Sequence, residues 1–118
     1  MDWFVEYYRD GKGKEPVAEF IDALSKEARA KVFRTIKLLK DYGVLLKEPY
    51  TRQIKGKIRE LRVTDRAGKI RVLYFAFTGR RIILLHGFIK KTEKTPLSEI
   101  ETAEKRMNDF FDRQKELP

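Results

Sequence analysis

Apolar residues recur at one period in the first third of this chain and at another in its second half, and few folds accommodate both. Val17, Phe20, Ile21 and Leu24 stand three and four residues apart, as do Ala28, Val32, Ile36 and Leu39, with Phe33 beside them. That is the stripe of two amphipathic helices. Pro16 suits a first helical turn, Glu15 and Glu19 complement its positive end, Ser25 can cap the second helix, and Gly43 can end it. After a loop around Pro49, apolar residues alternate instead. Ile58 to Thr64, Ile70 to Phe77 and Ile82 to Lys90 are strand-like, and Ala67-Gly68 and Thr78-Gly79 are turns short enough only for antiparallel neighbours.

The ends of the chain complete the pattern. Trp3 to Tyr8 is aromatic and β-branched enough for a strand, broken off by Gly11-Lys12-Gly13. Thr95 is a candidate cap with Pro96 at the first helical position, and Leu97, Ile100, Ala103, Met107 and Phe110 or Phe111 then mark one face of a terminal helix. The predicted fold is therefore α+β: a mostly antiparallel sheet, made of the N-terminal strand and a three- to four-strand C-terminal meander, packed against a two-helix hairpin and followed by a C-terminal helix. Burial of the apolar stripes predicts helices on one face of the sheet, and the length predicts a single domain over 1–118.

With no cysteine, neither disulfides nor thiolate chemistry is available. The N-terminus lacks a basic leader and a long apolar run, and no segment approaches a membrane span, which predicts a cytoplasmic protein with no membrane partner. The formal net charge of +9 points to an anionic partner, and its distribution is uneven. Lys47 to Lys94 holds 14 basic residues against 4 acidic ones, so that segment carries +10 and the remainder −1. This segment largely coincides with the meander. Lys31, Arg34, Lys37 and Lys40 line the outer side of the second helix, either as a solvated face or as a contribution to RNA binding.

Side chains alternate across a strand, so Glu60 and Arg62 share the face opposite Leu61 and Val63; Arg71 opposes Ile70, Val72 and Tyr74; and His86, Phe88 and Lys90 share a face. If the helices cover Leu61 and Val63, Glu60, Arg62 and Arg71 line an open cationic surface. Lys55, Lys57, Arg59 and Lys94 would add phosphate-binding charge, and Phe88 either stacks on a base or packs under the terminal helix. Basic strands also serve simply to keep a sheet edge solvated. The meander offers too few carboxylates and imidazoles for a metal centre, so no metal or other cofactor is predicted. Metal-free RNA cleavage, in which the 2′-hydroxyl is the nucleophile, needs only orientation, proton transfer and charge stabilisation. His86 is a candidate acid or base, or a structural histidine. Glu60 is either a general base or the ion-pair partner that holds Arg62 or Arg71.

Three strings, Glu60-Leu61-Arg62, Gly68-Lys69-Ile70-Arg71-Val72-Leu73-Tyr74-Phe75 and Leu84-Leu85-His86-Gly87-Phe88-Ile89-Lys90-Lys91-Thr92, with Thr95-Pro96 and Ala103 beyond them, resemble the phage-associated HigB-like branch of the RelE/ParE toxin superfamily. The resemblance spans nearly the whole chain. It implies a toxin of a type II toxin–antitoxin system that cleaves mRNA in the ribosome, neutralised by an antitoxin, in HigB-type systems commonly a helix-turn-helix HigA-like protein. It matches Arg71 to the phosphate-binding arginine of RelE-like toxins and Lys90-Lys91 to their basic pair after the last strand, so Arg62, Arg71, Lys90 and Lys91 are the leading catalytic candidates, with His86 and Glu60 behind them. Glu60 stands where RelE-like toxins place a basic residue, and the tyrosine some relatives carry near the C-terminus has no equivalent near Leu97. Two alternatives remain open: a non-catalytic protein that binds nucleic acid or antitoxin, and a ParE-like gyrase inhibitor.

Overall fold

The Ser25 hydroxyl accepts a hydrogen bond from the Ala28 amide at 3.2 Å and so opens the longer helix of the hairpin as its sequence suggests. The computed structural model describes residues 2–115. In chain order the elements are β1 (Phe4–Tyr7), α1 (Pro16–Asp22), α2 (Lys26–Tyr42), a single 3-10 turn at Gly43–Leu45, β2 (Thr51–Lys55), β3 (Ile58–Asp65), β4 (Gly68–Phe77), β5 (Arg81–Lys90) and α3 (Leu97–Lys115). They build one five-stranded sheet in the order β1-β5-β4-β3-β2, antiparallel throughout except that β1 runs parallel to β5. β2 is the fourth meander strand; its five residues carry too little alternation to have been delimited from sequence.

The helices do not share a face. Val17, Ile21, Val32, Ile36 and Leu39 of the hairpin bury themselves against Leu61, Val63, Ile70, Val72, Ile82 and Leu84. On the opposite face, Ile58, Leu73, Phe75, Ile83, Leu85 and Phe88 pack with Ala103, and Met107, Phe110 and Phe111 of α3 close over them. The expectation of helices on one side is thus corrected. Phe75, Ile83 and Leu85 supply the reason: β4 and β5 are apolar on both sides, as central strands covered twice must be. Each fully buried aliphatic or aromatic side chain contributes about 1.5–3 kcal/mol. The α3 stripe also starts later than its spacing suggests, for Leu97 is 64% exposed.

One irregularity sets the directions of the site residues. Leu73 pairs with His86 but Tyr74 pairs with Leu84, so Leu85 is an extra residue in β5. The bulge puts Ile83 and Leu85 on the same side as His86, Phe88 and Lys90. Just beyond it, Gly87 lets α1 rest on the strand: a Cβ there would stand 2.4 Å from the Phe20 ring. The sheet's outer strand is clamped by Arg81, whose Nε and Nη2 donate to the two Glu6 carboxylate oxygens at 2.5 and 2.8 Å.

Candidate functional site

β3 and β4 pair Arg62 with Arg71, and β4 and β5 pair Arg71 with Phe88 and Lys69 with Lys90. Neighbouring strands are about 4.8 Å apart, so this register concentrates positive charge at one end of the sheet. Glu60 lies within it. Its Oε1 is 2.7 Å from Arg71 Nε and 3.8 Å from Arg62 Nε, and its Oε2 accepts a hydrogen bond from the Thr95 hydroxyl at 2.5 Å. Glu60 is 1% exposed, Arg71 2% and Lys90 7%. The face expected to be open is therefore covered here by α3 and the segment leading into it.

Burial changes what these groups can do. Arg71 Nη1 donates to the Ile70 and Val63 carbonyls at 3.0 and 3.4 Å, so the guanidinium is locked in the sheet. Its Nε, Glu60 Oε1 and Arg62 Nε are buried and, despite their proximity, none has a well-aligned hydrogen bond. Removal from water holds the Arg71 guanidinium below the ordinary arginine range, against the opposing pull of Glu60. The Lys90 ammonium is likewise pushed down, first by desolvation and then by Arg71, Arg62 and Lys69, with Glu60 acting the other way. A lysine so placed gives up its proton more readily than a solvated one.

Two recesses open on either side of Lys90. One, of about 290 Å³, is lined by Glu60, Thr95 and Ile54 together with Arg52, Lys94 and the opposing charge of Glu93. The other, of about 640 Å³, is bordered by Gly68, Lys69 and Lys91. Lys91 and Lys94 are exposed, and the Arg62 side chain is 26% exposed. The structure thus brings Glu60, Arg62, Arg71, Lys90 and Lys94 together, with Lys91 alongside. Lys69, Arg52 and Thr95 join them without having been named as site residues from sequence. Counting back from the β4–β5 turn would set Lys69 against Ile89, and only the bulge moves it opposite Lys90. Thr95 does not cap α3 as expected, because its hydroxyl is turned to Glu60.

The other candidates lie apart. His86 Nδ1 is 3.1 Å from Arg106 Nη1 and its Nε2 is 2.8 Å from Glu99 Oε1. Because arginine can only donate, Nδ1 accepts and Nε2 carries the proton, which makes His86 a clasp between the bulge and α3. Phe88 lies parallel to the His86 ring at 5.6 Å between centroids and is buried in the core under α3, the packing alternative. Lys55 pairs with Glu104 at 3.1 Å, Lys57 lies over the Phe111 ring at 5.0 Å, and Arg59 donates to Gln53 and Thr51. Among the described residues no group of three or more carboxylate or imidazole side chains could hold a metal ion, and no helix is long and apolar enough to cross a membrane.

A two-sided sheet with a basic end, a buried arginine–glutamate pair and a partly desolvated lysine defines a small α+β protein compatible with the RelE-like toxin fold. Residues 19–108 match the family described as phage-derived Gp49-like proteins (DUF891), and the chain belongs to that family, a RelE-like toxin family of toxin–antitoxin systems. No curated protein matches it significantly.

Proposed function

We propose that the chain is a HigB-like toxin that cleaves mRNA in the ribosome without a metal, working in the cytoplasm and held inactive by an antitoxin. The observation that carries this reading is Lys90, which lines two recesses that also hold Arg52, Lys69, Lys91 and Lys94 along with Glu93, and whose ammonium is pushed down by desolvation and then by the charge of Arg71. Lys91, Lys94 and Arg62 meet the phosphates of a single strand, while Arg71 adds its charge from beneath and Glu60 positions it. In the reaction the 2′-hydroxyl passes its proton to solvent water as its oxygen bonds to the adjacent phosphorus. The bond from phosphorus to the 5′-oxygen breaks, and that oxygen takes up a proton, leaving a cyclic phosphate and a free 5′-hydroxyl. Lys90 donates that proton, and the surrounding cations stabilise the extra negative charge of the transition state.

A second reading is favoured by the burial of Glu60 and Arg71, which withdraws that pair from the surface: the basic end binds and blocks without cutting. Transcript ends mapped in a translating extract separate the two. Cuts within translated frames that require ribosomes and vanish with Lys91→Ala are expected; intact RNA in an extract whose translation has nonetheless stopped would replace cleavage by occlusion.

A further inference from the structure

A strand that meets Lys90 is a polymer and has to leave the recess on both sides. A third recess, of about 880 Å³, lies at the outer edge of β2, between that strand and the turn and loop that follow α2. It shares Arg52 and Gln53 with the 290 Å³ recess, which in turn shares Lys90 and Glu93 with the 640 Å³ recess. The three are thus joined end to end. From β5 to β2 they cross three strand spacings, roughly 14 Å. The middle recess is walled by Thr95 and Ile100 on the α3 side, whereas the outer one is walled by Val44 and Lys47, whose neighbour Leu46 belongs to the core under the hairpin. The path therefore rounds the edge of the sheet.

Seven cations line the three recesses against three carboxylates, and those carboxylates cancel little of the charge. Glu60 is committed to Arg71 at 2.7 Å, and Glu48 reaches Arg52 Nε only at 3.9 Å. Glu93 makes no ion pair among the described residues, nor do Lys47, Lys69, Lys91 and Lys94. Arg59 donates to the uncharged side chains of Gln53 and Thr51. Between the charges stand Ile54 and Ile100 in the middle recess and Val44, 54% exposed, in the outer one. Uncompensated cations at intervals, with aliphatic surfaces between them, suit a single strand whose phosphates meet the cations and whose bases lie on the apolar side chains. A duplex, with a persistence length of about 150 base pairs, is too stiff to follow a path around the edge of a sheet. An acidic peptide would answer the charge of any one recess; the continuity through Lys90 is what favours RNA.

We propose that the outer recess is a second RNA subsite, which holds nucleotides flanking the scissile phosphate on one side, with Arg52 as the step between it and the recess at Lys90. The binding rests on the three joined recesses; that the bound strand is the one cut at Lys90 rests on the toxin reading. Arg52 stands opposite Glu60 in the β2–β3 pairing and lines both recesses, so its guanidinium can meet a phosphate passing from one to the other. A strand gripped on both sides of Lys90 is fixed at the phosphate between the grips, and the flanking contacts then serve to orient the reacting atoms.

The test uses the whole protein and fluorescent uridine oligonucleotides, a trimer and a decamer, 2′-O-methylated so that they cannot be cut and read by anisotropy at low salt. Lys91→Glu should weaken both. Lys47→Glu and Arg52→Glu, at exposed positions, should weaken the decamer about tenfold each and the trimer by less than about twofold. Each should also flatten the decamer's slope of log affinity against log salt by about 0.7. Lys12→Glu, the same change of charge in the loop after β1 at the opposite edge of the sheet, should leave both oligonucleotides alone, with far-UV circular dichroism unchanged throughout. The subsite is overturned if trimer and decamer bind equally well, or if Lys12→Glu costs the decamer as much as Lys47→Glu does. Equal losses of trimer and decamer in Lys47→Glu would make the outer recess a separate site and overturn the joined path. Displacement of the decamer by an RNA hairpin as readily as by unlabelled decamer would assign the surface to folded RNA and overturn it too. Cleavage in the translating extract is read separately. A protein that never cuts RNA but binds the decamer through Lys47 and Arg52 keeps the subsite and loses the nuclease. One that cuts translated RNA while its decamer binding ignores both residues keeps the nuclease and loses the subsite.

Discussion

Glu60 lies at the centre of the basic end, against Arg71, Arg62 and Thr95. It holds Arg71 in the sheet interior and is tied to Thr95, so replacing it by Gln leaves a buried guanidinium without its counter-charge. Breaking a buried pair in this way costs about 3–5 kcal/mol. Urea denaturation of Glu60→Gln should show a loss of that size, whereas Lys91→Ala, fully at the surface, should stay within about 0.5 kcal/mol of the parent. Lys90 separates charge from proton transfer. Lys90→Arg keeps the cation but removes a proton that can be given up, so RNA affinity should hold while cleavage falls roughly 10²-fold; equal losses in both would make Lys90 a binding residue only. Much of this neighbourhood was legible from strand alternation, which set Glu60 with Arg62 and His86 with Lys90. Depth was not, because the same alternation describes an open face and one roofed by a helix. Nor could it tell a free His86 from one held at both nitrogens by Glu99 and Arg106.

At the scale of elements, the helical hairpin and the three long strands could be read from periodicity, and their boundaries from Ser25, Gly43 and the two tight turns. The side on which α3 lands depended on residues whose apolar character looked redundant, namely Phe75, Ile83 and Leu85, which had no partner until α3 supplied Phe110 and Phe111. Close approach of elements is equally hidden. Gly87 looks like a strand weakener, yet it is where Phe20 of α1 meets the backbone of β5. Gly87→Ala should therefore destabilise by about 1–3 kcal/mol through overpacking, visible as a lower thermal midpoint; an unchanged midpoint would mean that α1 yields freely.

For the molecule as a whole, acid sensitivity follows from aspartates spread across the fold. The Asp65 carboxyl is held below its ordinary value by the Ala67 amide and then by Lys31, and Asp109 by Arg113 and then Tyr8. A carboxyl whose pKa is lower folded than unfolded stabilises the fold at pH above its unfolded value, about 3.8 for aspartate, and loses that contribution as pH falls through the folded one. Thermal midpoints should be level near neutrality and drop below about pH 4, and Asp65→Asn should remove part of that drop by lowering the plateau. If its curve merely runs parallel to that of the parent, Asp65 takes no part.

The parallel pairing of Phe4–Tyr7 with Arg81–Leu84 has a consequence for the order in which the protein can be made. β1, the first of the described strands in chain order, has β5, the last of them, as its neighbour, and β5 also forms the pairing that joins β1 to the remainder of the sheet. During synthesis β1 must wait, unpaired, until β5 has emerged. Chains ending at Phe77 should accordingly show no cooperative thermal unfolding by circular dichroism; a sharp transition would mean that the rest of the sheet folds without its centre. A copy interrupted before β5 thus leaves β1 without a partner strand and offers proteases an open target.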